Sequence, residues 1–179
     1  FVGVRHVVQD EPDDRFMLRP DFLRGLEKLR HFNLTYDVLI YPKQLPAAIE
    51  MVTRFPEQPF VLDHLAKPSI KSGTLAPWAA RIQELGRFQN VMCKVSGLVT
   101  EAEWGRWQPS HFRPYLDTVF AAFGEDRLMF GSDWPVCLLA GSYEQVHALI
   151  EEYLRQFSSR VREKVFGENA ARFYRLAPA

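Results

Sequence analysis

Arg127-Leu-Met-Phe-Gly-Ser-Asp-Trp-Pro135 is the stretch on which the reading of this chain turns. A short apolar run, residues 128–130, ends in Gly131-Ser132, and Asp133 follows where the strand stops. That is the layout of a carboxylate at the C-terminal rim of a parallel sheet or barrel, where such architectures carry their active sites. Gly131 lets the backbone turn closely, Trp134 supplies a broad apolar wall, and Pro135 stops the strand. An ordinary strand-to-loop exit with a solvated carboxylate would look the same in isolation, so the rest of the chain must decide.

Apolar, β-branched runs recur at residues 1–8, 34–40, 60–65, 91–95 and 128–130. Segments of helical period lie between them, at 20–30, 44–54, 76–85 and 114–123, the last stopped by Gly124 as a C-terminal cap. Ser142-Tyr-Glu-Gln145 reads as a capping box that opens a helix reaching to about residue 157. A final pair, 159–166 and 169–176, is expected to be split by Gly167. Strands separated by roughly thirty residues with one helix in each interval indicate βαβ units and a parallel sheet. Their continuous apolar character fits a sheet covered on both faces. The segment 96–110, with Trp104, Trp107 and Pro109, is long for a strand-to-helix connection at such a rim.

Five βα units suit an α/β fold that is the C-terminal portion of a (β/α)8 TIM-type barrel, which as a whole needs about 250 residues. The chain opens directly in a strand, so the expectation is a single barrel-type domain over residues 1–179 that lacks its first strands.

Composition sets the outer limits. The 179 residues carry no formal net charge, are 47% hydrophobic and 25% charged, and so describe an ordinary globular protein with one real core. Zero net charge and the lack of a basic run argue against nucleic acid as a partner. No apolar stretch approaches the roughly 20 residues of a membrane span. Cys93 and Cys137 have no zinc-site spacing, which makes reduced, buried thiols in a cytoplasmic protein the expectation.

Function should then sit at the strand ends. Arg5 and His6 lie in the first strand, Tyr36 and Asp37 interrupt the second, and Asp63-His64 ends the third. Lys94 and Ser96 end the fourth and Asp133 the fifth. Burying such groups costs free energy unless they are paired or functional. Alternation along a strand predicts that only one of Asp63 and His64 points inward; His64 is expected there, with Asp63 supporting it or capping a helix. Simpler roles remain open: His64 as a core histidine, Lys94 paired with a carboxylate, Asp37 balancing Arg5. His31, His111 and His147 need only surface or capping roles.

Together these groups suit hydrolysis. Asp133 can take a proton from water or hold a metal-polarised water. His64 can polarise a carbonyl or ligate a metal through a neutral nitrogen. Arg5 and Lys94 can neutralise oxyanions or bind hydroxyls. No phosphate-binding loop or nucleophile elbow is present, and neither cysteine has an activating partner.

Five motifs occur in order: Gly3-Val-Arg-His6, Val61-Leu-Asp-His-Leu-Ala-Lys-Pro68, Lys94-Val-Ser-Gly97, Phe130-Gly-Ser-Asp-Trp-Pro135 and Phe166-Gly-Glu-Asn-Ala-Ala-Arg-Phe-Tyr174. In these the chain resembles the amidohydrolase 2 family, specifically its sugar-lactonase branch of L-fuconolactonase- and L-rhamnonolactonase-like proteins. The resemblance implies an amidohydrolase barrel that opens aldonolactones with water. It implies Asp133 as general base or metal-associated carboxylate and His64 as an active-site or metal-ligating histidine. Arg5 and His6 fall at the substrate end of the pocket, Lys94 and Trp134 join them in binding substrate, and Asn169 and Arg172 dock the terminal helix. A single divalent ion, zinc, is the expected cofactor and a sugar lactone the expected small-molecule partner.

One departure stands out. The family's first strand carries a His-x-His pair, and this sequence has none. The 179 residues alone are therefore expected to be inactive and prone to aggregate through unpaired strand edges. A decarboxylase, another C–O or C–N hydrolase on the same scaffold, and a non-catalytic truncated remnant are the alternatives.

Overall fold

The apolar runs become five short strands in a computed structural model that describes residues 1–176. They are β1 (Gly3–His6), β2 (Thr35–Val38), β3 (Phe60–Leu62), β4 (Val91–Val95) and β5 (Leu128–Phe130). All neighbours are parallel, and spatial order follows chain order, β1-β2-β3-β4-β5. Each crossover carries a helix: α1 (Pro20–His31), α2 (Leu45–Arg54), α3 (Trp78–Leu85) and α4 (Pro109–Phe123). After β5 come α5 (Tyr143–Leu154), α6 (Ser159–Glu163) and α7 (Asn169–Tyr174). An in-order parallel sheet with one helix per step is part of a (β/α)8 barrel wall. The single-domain expectation extended to residues 177–179, which lie outside the described residues.

Alternation along each strand sorts the core into two parts. Side chains facing the helices, among them Tyr36, Val38, Phe60, Leu62, Val91, Cys93, Val95 and Leu128, pack with Leu26, Ile49, Ile82, Leu116 and Ile150 into the main cluster. Facing the other way, Val61, Met92 and Met129 form a small second cluster, closed by Ala170, Phe173 and Tyr174. Both faces of the central strand β3 are thus covered, whereas β1 is largely exposed. Arg127 ties the two layers together, donating to the carbonyls of Gly86 at 2.7 Å, Phe88 at 2.9 Å, Val91 at 3.1 Å and Ala122 at 3.4 Å.

Several boundaries differ from those read in the sequence. The first strand is only Gly3–His6, because Val8 to Asp10 turn as a 3-10 helix. The fourth helix begins at Pro109 rather than Pro114: Gln108 caps it by donating its backbone N–H to His111 Nδ1 at 3.2 Å. The buried ladder Phe112, Tyr115, Leu116, Val119 and Phe123 carries that helix across Pro114. Gly167 does not split the terminal helices. It lies in a π-helical turn, Lys164–Glu168, that joins α6 to α7 and packs on β5. Phe166 anchors this turn, its ring 5.0 Å from that of Phe130. The capping box at Ser142 and Gln145 forms as read, but its helix ends at Leu154. Among the described residues no helix is long and apolar enough to cross a membrane.

Candidate active site

The strand that should have forced a choice between Asp63 and His64 stops one residue earlier, at Leu62. His64, Leu65, Ala66 and Lys67 all take left-handed backbone angles, with φ of 53°, 54°, 57° and 51°. Each such residue without glycine costs about 1–2 kcal/mol. The cost is offset locally. Leu65 and Ala66 are fully buried, Lys67 N–H donates to the His64 carbonyl at 2.7 Å, and Trp78 Nε1 donates to the Leu65 carbonyl at 2.7 Å. Because alternation no longer applies, both Asp63 and His64 reach the polar end of the sheet. The expectation that only one could point inward is thereby corrected.

Asp63 is completely buried, and its carboxylate is shared by two cations. Arg5 Nη1 donates to Oδ2 at 3.0 Å, and Lys94 Nζ lies 2.8 Å from Oδ1. Lys94 also donates to Asp37 Oδ2 at 2.5 Å, and Tyr174 Oη donates to the same carboxylate, 2.9 Å and 3.1 Å from its oxygens. Arg5 therefore pairs with Asp63, while Asp37 is balanced by Lys94. Two cations and two anions neutralise one another, which makes their burial tolerable.

The titration behaviour follows from this arrangement. Burial opposes the Lys94 charge, but Asp63 and Asp37 outweigh it and hold the ammonium well above its ordinary value. Burial pushes the Asp37 carboxyl up, and Lys94 and Tyr174 pull it back in part. Burial works against the Arg5 guanidinium too, and the hydrogen bond to Asp63 together with the charges of Asp63, Asp37 and Asp133 more than offsets it.

Above this layer sit His64 and Asp133. His64 Nδ1 is 2.7 Å from Ser96 Oγ, and Nε2 is 3.5 Å from Asp133 Oδ1. Both side chains are largely buried. Burial lowers the imidazole below its usual value despite the opposing pull of Asp133 and Asp63, which favours the neutral ring. Asp133 itself has φ 57°, and its carbonyl accepts from Cys137 N–H at 2.9 Å, which fixes the loop after β5. A neutral imidazole beside a carboxylate, with a guanidinium nearby, can accept a proton from water and stabilise developing negative charge.

Not every candidate joins this group. His6 alternates with Arg5 and stands on the other face of β1. There it contacts Glu11 Oε1 at 2.7 Å and stacks on Phe16 at 5.1 Å. Lys94 is present but occupied by its two carboxylates. Trp134 is 63% exposed. Asn169 and Arg172 dock the terminal helix as expected: Asn169 Nδ2 donates to the carbonyls of Glu125 at 2.8 Å and Leu128 at 2.7 Å, and Arg172 to that of Asp126 at 2.6 Å. Cys93 and Cys137 are free and buried. Sequence reasoning gave no role to Tyr174 or to Gly97. Their signals were their places at the ends of the motifs Lys94-Val-Ser-Gly97 and Phe166-Gly-Glu-Asn-Ala-Ala-Arg-Phe-Tyr174.

His64 and Asp133 are also the two side chains expected from the sequence to hold a metal. Among the described residues, no group of three or more His, Cys, Asp or Glu side chains is placed to hold an ion. Zinc takes four ligands, three of them from protein in catalytic sites, so this pair falls short of a metal site on its own.

The amidohydrolase family model matches residues 1–176. The chain belongs to the amidohydrolase family. It is 43% identical to an L-fucono-1,5-lactonase of Burkholderia multivorans over 97% of this chain and 62% of that protein. To an L-rhamnono-gamma-lactonase of Scheffersomyces stipitis it is 22% identical, over 97% of this chain and 59% of the relative. Among solved structures, an amidohydrolase from Burkholderia multivorans with bound zinc superposes with a TM-score of 0.94 at 42% identity, covering 98% of this chain and 65% of that one. The chain thus spans about three-fifths of the length of the curated relatives it matches. The likeness extends the barrel reading to the whole described length of this amidohydrolase.

Proposed function

We propose that the protein containing these residues opens a sugar-derived lactone with water, and that Asp133 is the general base. The contact between Asp133 Oδ1 and His64 Nε2 at the strand ends carries this reading, and the resemblance to an L-fucono-1,5-lactonase supports the substrate class. Asp133 takes a proton from water as the water oxygen attacks the lactone carbonyl carbon. Negative charge builds on the carbonyl oxygen, where Arg5, half-exposed and with donors to spare beyond its bond to Asp63, stabilises it. The ring C–O bond then breaks, and the leaving alkoxide regains the proton held at Asp133, giving a hydroxy acid. Neutral His64, held by Ser96, polarises the water or the carbonyl.

Trp134 follows Asp133 in the chain, and its exposed ring is free to stack on a sugar face. His6 and Lys94 are not assigned to the substrate, since other partners occupy them. Among the described residues the donors do not complete the shell of a divalent ion. The two free cysteines support a reducing compartment, the cytoplasm.

The test uses the polypeptide translated from the complete reading frame that contains these residues. Acid release from L-fucono- and L-rhamnonolactones without carbon dioxide is expected, and Asp133→Asn should lower kcat about 10²- to 10⁴-fold with melting temperature preserved. Carbon dioxide release, or full activity in the Asp133→Asn protein, would overturn the proposal.

A further inference from the structure

The last helix reaches the site from below. Tyr174 ends α7, packs with Phe173 on the inward cluster of Val61, Met92 and Met129, and turns its hydroxyl onto Asp37. From there an unbroken polar path runs upward: Tyr174 Oη to Asp37, Asp37 to Lys94 Nζ, and Lys94 Nζ to Asp63. Asp63 is the residue before His64 and opens the left-handed turn that carries it. Lys94 Nζ also sits 5.5 Å from the Tyr174 ring centroid, so the ring and its hydroxyl together confine the ammonium.

We infer that Tyr174 is a positioning residue: through Asp37, Lys94 and Asp63 its hydroxyl fixes the turn that presents His64 to Asp133. The reasoning is one of competition for a single cation. Among the described residues Lys94 alone bridges the Asp37 and Asp63 carboxylates, and burial raises Asp37, so each hydrogen bond it receives matters to where Lys94 rests. Loss of the tyrosine hydroxyl leaves Asp37 with Lys94 as its remaining side-chain donor. Lys94 then shifts toward Asp37 and loosens from Asp63, which keeps only Arg5. A turn built from four left-handed residues is under strain, and a strained element holds its geometry only while its surroundings determine it.

The effect on catalysis rests on the proposed lactone hydrolysis, but the effect on His64 does not, so two readouts are used on the polypeptide of the complete reading frame. Tyr174→Phe keeps the ring and its packing and removes only the hydroxyl. Arg172→Ala serves as control, since Arg172 docks the same helix through the Asp126 carbonyl and does not touch the polar path. The first readout is the NMR cross-peak of the His64 ring in protein with labelled histidine, assigned by loss of that peak in His64→Asn. Tyr174→Phe should displace it, and Arg172→Ala should leave it in place. The second is lactone turnover, in which Tyr174→Phe should lower kcat about tenfold with KM held within about twofold. Should no lactone be hydrolysed by the parent protein, the functional reading fails and the His64 signal still decides. A His64 cross-peak unmoved by Tyr174→Phe, or moved equally by Arg172→Ala, would overturn the inference.

Discussion

Gly97 stands directly behind the imidazole of His64: a Cβ on residue 97 would lie 2.7 Å from both His64 Cβ and Cγ and 2.8 Å from Nδ1. Its φ of 61° is left-handed as well. The glycine therefore meets two demands at once, a backbone angle that L side chains avoid and a space that the histidine already fills.

Gly97→Ala should consequently displace His64 from both Ser96 and Asp133. The left-handed angle alone costs about 1–2 kcal/mol of stability, and the clash adds to it. Urea unfolding would give the stability loss, and the crystal structure of the variant should show the His64 ring moved away from Ser96 Oγ. An unchanged ring position would mean that the strand ends can shift to absorb a methyl group.

Lys94 carries the buried charge balance. Lys94→Met keeps the length of the side chain and removes its charge, leaving Asp37 without its cation and Asp63 with Arg5 alone. Breaking a buried pair in this way costs about 3–5 kcal/mol. Adding Asp37→Asn should restore part of the loss, because one uncompensated anion is then removed. Equilibrium unfolding of the single and double variants measures both effects, and strictly additive losses would refute the coupling.

Stability should fall on the alkaline side. Burial raises the pKa of Tyr36, Tyr153 and Tyr174 and of the Cys93 thiol, with the hydrogen bond to Asp117 adding to the rise at Tyr153. In the unfolded chain these groups ionise near their ordinary values, about 8.5 for Cys and about 10 for Tyr. Above those values the folded state retains protons that the unfolded state has released, so the unfolded state is favoured as pH rises. The contribution is complete below about pH 8.5 and declines through the tyrosine range. Urea midpoints at neutral and alkaline pH test the direction, and tyrosinate absorbance of these three residues should appear only with unfolding.

Much of this molecule was legible in one dimension. Leu128-Met-Phe130 and the other apolar runs became strands because a sheet covered on both faces favours unbroken apolar sequence. Gly124 stopped α4 with φ 67°, and Ser142 capped α5, since these signals act within one helical turn. Asp133 and His64 could be named because strand ends are where a parallel sheet exposes polar groups. Pro114 and Gly167 misled for one reason: packing of Phe112 and Tyr115, and of Phe166 on Phe130, outweighed local propensity.

The sequence by itself thus determined the order and type of the elements, the burial of the central strands and the family, because these depend on periodicity and short motifs. Tertiary structure alone decided which charges meet. Arg5, Asp37, Asp63, Lys94 and Tyr174 are spread from residue 5 to residue 174, and no spacing rule relates them. Only the left-handed turn at residues 64–67 brings Asp63 and His64 into the site together, and that turn persists because burial and long-range hydrogen bonds outweigh its backbone cost.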